Sequence, residues 1–187
     1  MEIPMEDSNL FERMKEKAEA VQAVVKRLTS REEVFEYAVE LAVARGGATL
    51  AAPGLPPEDL KILGERCRAA GVELLEPPYR GGGKAIHTAL TSADGGIAET
   101  GTLVLDSTSE DLRLATMLGE VHVAFLEESA IVPDAFALEP LLDGWMKAPP
   151  RYAAFITGAS RTADIERVLT IGVHGPGELH ICVIASN

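Results

Sequence analysis

Apolar residues recur at helical spacing from Leu10 through Met14, Ala18, Val21 and Val25 to Leu28. Phe11 and Val24 widen the stripe, so the pattern predicts one amphipathic helix over 10–28. A second helix is predicted in "SREEVFEYAVELAVARGG", where Ser30 and Glu33 stand in capping-box register and Gly46 and Gly47 supply a left-handed stop. The period then changes. "ATLAAP" and "VELLEP" read as short strands on either side of the helix "PPEDLKILGERCRAAG", which puts Leu60, Leu63, Cys67 and Ala70 on one face and ends at Gly71. Strand, helix and strand with short connections form a βαβ unit, which requires a parallel pair. Farther along, "TGTLVLDS", "EVHVAFLE", "RYAAFITG" and "ELHICVIAS" read as strands. "STSEDLRLATML", with Ser107 and Glu110 in capping-box register, and "PDAFALEPLLDGWM" read as helices, and "EPPYRGGGKAIH" as a mobile loop. The alternation predicts an α/β fold with a mostly parallel sheet flanked by helices on both faces. The expected organisation is an N-terminal helical extension over 1–30 and an α/β domain over 31–187.

Composition narrows the function classes. Of 187 residues, 47% are hydrophobic and 25% charged, an ordinary globular balance. A net charge of −12 disfavours nucleic acid and anionic membrane surfaces as partners. No apolar run approaches bilayer length, and the first residues lack the basic-then-apolar order of a secretory signal, so a cytoplasmic protein is expected. Cys67 and Cys182 are the only cysteines, too few for the four thiolates that an iron–sulfur cluster normally takes.

Three segments carry candidate chemistry. In "GGIAETGTLVLDS", Glu99 sits at a bend permitted by Gly101, with Thr100 and Thr102 as hydroxyl donors. The glutamate suits acid/base or nucleophilic work, and the same string suits a plain Gly/Thr turn. In "GASRTADIE", Ser160 and Thr162 offer hydroxyls, Arg161 can clamp a carboxylate or phosphate, and the backbone near Gly158 can form an anion nest. The alternative is a helix cap formed by Ser160 or Thr162. Such loops are expected at the carboxyl ends of strands, where α/β sheets gather ligands. In "GVHGPGELH", His174 occupies a Gly/Pro turn that suits an exposed imidazole titrating near neutral pH, without metal-ligand spacing. No dinucleotide or phosphate-loop fingerprint is present.

Taken together and in order, "IAETGTLVL", "GASRTADIE" and "GVHGPGELHICVI" resemble the LUD-domain family, the lactate utilization protein C group. The resemblance implies a fold like that of ribose-phosphate isomerases and CoA transferases. It implies a part in oxidising L-lactate to pyruvate beside iron–sulfur partner subunits, with no cofactor in this chain. It points to Glu99 and His174 as catalytic candidates. The candidates for binding a small carboxylate ligand are Thr100, Gly101, Thr102, Ser160, Arg161, Thr162, Asp164 and Gly175. The segments holding Ser160 and His174 are expected to meet because the last strand returns beside its predecessor. A stand-alone enzyme for small phosphorylated or acyl substrates, a structural binding module and a homo-oligomer stay open at this point.

Overall fold

The computed structural model describes residues 10–81, 83–162, 170–171 and 175–186. Asp164 and His174 lie outside the described residues, and for Thr162 only the backbone is described.

The apolar runs become a six-stranded sheet in which every pairing is parallel. Its strands are β1 (Val24–Leu28), β2 (Thr49–Ala51), β3 (Glu73–Leu75), β4 (Thr88–Ser92), β7 (Val121–Glu127) and β12 (Glu178–Ile184), in the order β1-β12-β7-β4-β2-β3. The central strands are buried on both faces, which is why they read as nearly unbroken apolar runs. In β7, Val123 and Phe125 enter one core while Ala124 and Leu126 enter the other. Cys182 and Ile184 of β12 join the first core, and Leu179, Ile181 and Val183 the second.

Helices α2 (Arg31–Ala44) and α3 (Pro57–Ala70) cover the first face with Val34, Phe35, Leu41, Leu63 and Cys67. The start of α2 is capped as its sequence demands: the Ser30 hydroxyl accepts the Glu33 N–H at 3.3 Å, and Glu33 accepts the Thr29 N–H at 2.7 Å. The second face is covered by α1 (Leu10–Ala20) and by a second, four-stranded sheet. That sheet contains β5 (Gly95–Ile97), β6 (Thr102–Asp106), β8 (Ile131–Val132) and β9 (Ala153–Ile156), ordered β8-β5-β6-β9, with β5–β6 and β6–β9 antiparallel. Helices α4 (Glu110–Leu118) and α5 (Glu139–Met146) and the two-stranded ribbon of β10 (Arg161–Thr162) and β11 (Thr170–Ile171) are the other α-helices and strands among the described residues.

Three local expectations are corrected. The helix predicted through Leu28 ends at Ala20. The chain turns at Gln22 (φ 65°) and continues as β1, hydrogen-bonded along β12 from Val24↔His180 to Leu28↔Ile184. The same apolar spacing serves both elements, and the open edge of β12 decides for the strand. Within residues 10–30, Val24–Leu28 therefore form a strand of the main sheet, and Phe11, Met14, Ala18 and Val25 enter its second core. Second, α4 is capped by Ser109, whose hydroxyl accepts the Leu112 N–H at 3.4 Å. Ser107 instead donates to the Tyr152 carbonyl at 3.0 Å. Third, β12 lies between β1 and β7 and not beside β9.

Candidate functional site

A cleft of about 320 Å³ opens between the two sheets. One wall comes from β9 (Ala154, Ile156) and the turn that follows it (Gly158, Ala159, Ser160). Another comes from α4 (Arg113, Thr116, Met117) and Ser107 before it. The floor is His122 and Leu179, the second residues of β7 and β12, and Gly175 and Pro176 close one side. The cleft thus sits at the amino-terminal starts of two parallel strands, contrary to the expected carboxyl-end position. The reason is that β9, whose end supplies the turn, belongs to the second sheet and runs antiparallel to β6.

The two glycine-rich turns do meet. Ser160 N–H donates to the Pro176 carbonyl at 2.9 Å, and β10 pairs with β11. A Cβ on Gly175 would come within 3.1 Å of the Ser160 Cβ, so glycine permits this close approach. The ribbon and this bond bring the turns together, in place of the strand adjacency expected from the sequence.

Among the described lining residues, charge is sparse. Arg113 is half-buried, and its Nη1 donates to the Ser107 and Thr108 carbonyls at 2.6 and 2.8 Å. Its guanidinium also lies 5.2 Å from the centre of the Tyr152 ring. His122 is buried, with Nε2 2.8 Å from the Thr91 hydroxyl, and burial pushes its pKa down to about 4. The imidazole is therefore neutral near neutral pH. The unfolded chain takes up this proton near the ordinary 6.5 and the folded protein only near 4, so the unfolded state binds more protons in between. Acidification through that window is expected to remove roughly 3 kcal/mol of stability. Urea unfolding between about pH 7 and pH 4 checks this, with His122→Gln flattening the dependence. Equal pH slopes in the two proteins would contradict it.

The remaining sequence candidates are placed differently. Glu99 is exposed, its N–H donates to the Pro133 carbonyl at 3.1 Å, and it is not among the residues lining the cleft. Thr100, Thr102 and Thr157 form a chain of hydroxyl contacts, each 2.7 Å, that ties β6 to the end of β9 outside the cleft. Gly101 packs against the end of α1. Arg161 is exposed and donates to the Val21 carbonyl, which also engages it at the end of α1 rather than in the cleft. Among the candidates whose side chains are described, Ser160 and Gly175 line the cleft. Arg113 and His122 are not among the sequence candidates, because each sits inside an element, "EDLRLATML" or "EVHVAFLE", that reads as ordinary helix surface or strand interior, and His122 has no ligand-like neighbours in the sequence.

A second buried histidine forms a separate network. His180 contacts the Tyr37 hydroxyl through Nδ1 at 2.7 Å and Glu178 through Nε2 at 3.1 Å, while Arg45 Nε donates to Glu178 at 2.8 Å. Burial lowers the His180 pKa, so Nε2–H donates to Glu178 and Nδ1 accepts from Tyr37. Among the described residues, no group of three or more His, Cys, Asp or Glu side chains is arranged to hold a metal ion, and no helix is long and apolar enough to cross a membrane.

A family model described as "LUD domain" matches residues 11–184. Lactate utilization protein C 1 of Bacillus mycoides is 36% identical over 96 residues, which are 50% of this chain and 41% of that protein. Lactate utilization protein C of Macrococcus caseolyticus is 32% identical over 111 residues, 58% of this chain and 46% of that protein. The matched stretch thus spans less than half the length of these relatives. A crystal structure of a DUF162 family protein from Deinococcus radiodurans superposes with a TM-score of 0.68 at 20% identity, covering 97% of this chain and 99% of that one. This last likeness is one of fold.

Proposed function

The chain belongs to the LUD domain family, and from that premise we propose that it serves lactate utilization as a subunit without a redox centre of its own, beside iron–sulfur partners that carry the electrons. The names of the curated relatives support the pathway. The observation that carries the division of labour is the placement of the thiols. Cys67 on α3 and Cys182 on β12 are both buried in one apolar cluster, and burial pushes their pKa values up to about 11 and about 12. Thiols held protonated in a hydrocarbon core are poor ligands, and two cannot supply a four-thiolate cluster. Lactate oxidation releases two electrons, and the sequence offers no dinucleotide fingerprint to receive them. Two free, buried thiols also suit a reducing compartment, so the proposal places the subunit in the cytoplasm.

The test is anaerobic isolation of the tagged chain from lactate-grown native cells, followed by subunit identification and iron and sulfide analysis. Cysteine-rich subunits holding all of the iron should co-isolate, and the chain purified alone should show no iron–sulfur absorption. Stoichiometric iron on the isolated chain, or the absence of any iron-bearing partner, would contradict the proposal.

A further inference from the structure

We propose that the cleft between α4, β9 and the starts of β7 and β12 binds an organic monoanion whose apolar body is larger than that of lactate, anchored by Arg113. The inference concerns the isolated chain and stands independently of its role in lactate utilization.

The anchor is held in place before any ligand arrives. Two backbone carbonyls fix Nη1 of Arg113, and the Tyr152 ring lies against the guanidinium. This leaves the Nε–Nη2 edge, the side that meets a carboxylate with two parallel hydrogen bonds, without a partner among the described residues. The acidic side chains before it on α4 have other hydrogen-bond partners. Glu110 accepts from Arg80 Nε at 2.8 Å, and Asp111 accepts the Tyr79 N–H at 2.7 Å. Among the described residues no carboxylate hydrogen-bonds to Arg113, and Glu110 one turn before it acts on its charge only at longer range, so the guanidinium is available to an anion in the cleft.

Charge count selects a monoanion. With His122 neutral, Arg113 is the only charged residue among the described lining residues. A phosphate monoester carries roughly −1.5 to −2 near neutral pH. One guanidinium cannot match that, and a protein of net charge −12 repels a dianion about twice as strongly as a monoanion.

Size and lining select the body. About 320 Å³ lies in the range of clefts that take small organic molecules, and a three-carbon hydroxy acid would fill only a minor part of it. Ala154, Ile156 and Leu179 supply apolar wall, and Met117, 59% exposed one turn after Arg113, supplies an adaptable rim. Each methylene buried there is expected to raise affinity roughly fourfold.

Calorimetric titration of the purified chain with hexanoate, L-lactate and inorganic phosphate tests the proposal. Hexanoate should bind saturably and roughly tenfold or more tightly than either of the others. Arg113→Gln should weaken hexanoate binding by about tenfold or more. Because Arg113 also holds two carbonyls, the decisive variant is Met117→Asp. It alters an exposed side chain, keeps the anchor and adds a negative charge at the rim, and it too should lose about tenfold. No saturable hexanoate binding, phosphate binding as tight as hexanoate, or unchanged affinity in folded Met117→Asp protein would each overturn the proposal.

Discussion

A chain beginning at residue 31 is expected not to fold. It would lack β1, which pairs with β12 over five residues, and α1, which places Phe11, Met14 and Ala18 in the second core. Phe11, Met14 and Val25 are all at most 9% exposed. Burial of each such side chain is worth about 1.5–3 kcal/mol, so these three alone approach the total stability of a typical domain. Their loss also uncovers Leu103, Leu105, Ile181 and Val183, a broad apolar face that favours aggregation. Far-UV circular dichroism and urea unfolding of 10–187 and 31–187 decide the matter. Cooperative unfolding of the shorter chain with unchanged midpoint would show that α1 and β1 are an appendage after all.

Gly101→Ala is expected to cost about 2–5 kcal/mol, combining left-handed backbone strain with overpacking. Gly101 has φ +65°, and a Cβ there would lie 2.3 Å from the Ala18 backbone nitrogen and 2.7 Å from its Cα. Backbone on both sides cannot move aside as a flexible side chain would. Gly158 makes a similar approach, with a Cβ falling 2.6 Å from the Val21 carbonyl oxygen. These two glycines therefore seat the end of α1 against the threonine-linked ends of β6 and β9. Gly54→Ala is the control, since its φ of +79° carries the strain but nothing lies within 4 Å of the added Cβ. Urea unfolding should rank Gly101→Ala well below Gly54→Ala, and equal stabilities would refute the packing account.

The Gly101 contact explains which features the sequence made legible. The motif "ETGT" invited a catalytic reading of Glu99, yet its glycine answers to the close passage of α1, a contact between residues more than eighty positions apart. The strands β7 and β12 were plain because both of their faces are buried, so apolar residues run on without a break. By contrast β6 and β9 have the same apolar look and gave no sign that they form an antiparallel sheet of their own. β5 is "GGI", which carries no strand period, and its Gly96 lies where a Cβ would strike Met14 at 2.8 Å. β4, "TALTS", looks polar although Thr88 and Thr91 are fully buried, the latter bonded to His122. Arg113 shows the general limit. Its position on α4 is predictable, but its availability as an anion anchor depends on the cleft and on where the carboxylates of Glu110 and Asp111 turn, and no local pattern encodes either.

The measurement that bears most directly on the proposed role is lactate-dependent reduction of an artificial electron acceptor, compared between the purified chain, the native assembly that contains it, and that assembly after removal of the chain. The account predicts no turnover by the chain alone, turnover by the assembly, and loss of that turnover on removal, restored when the folded chain is added back. Sustained lactate oxidation by the isolated chain, or an assembly that keeps its full rate without it, would contradict the account.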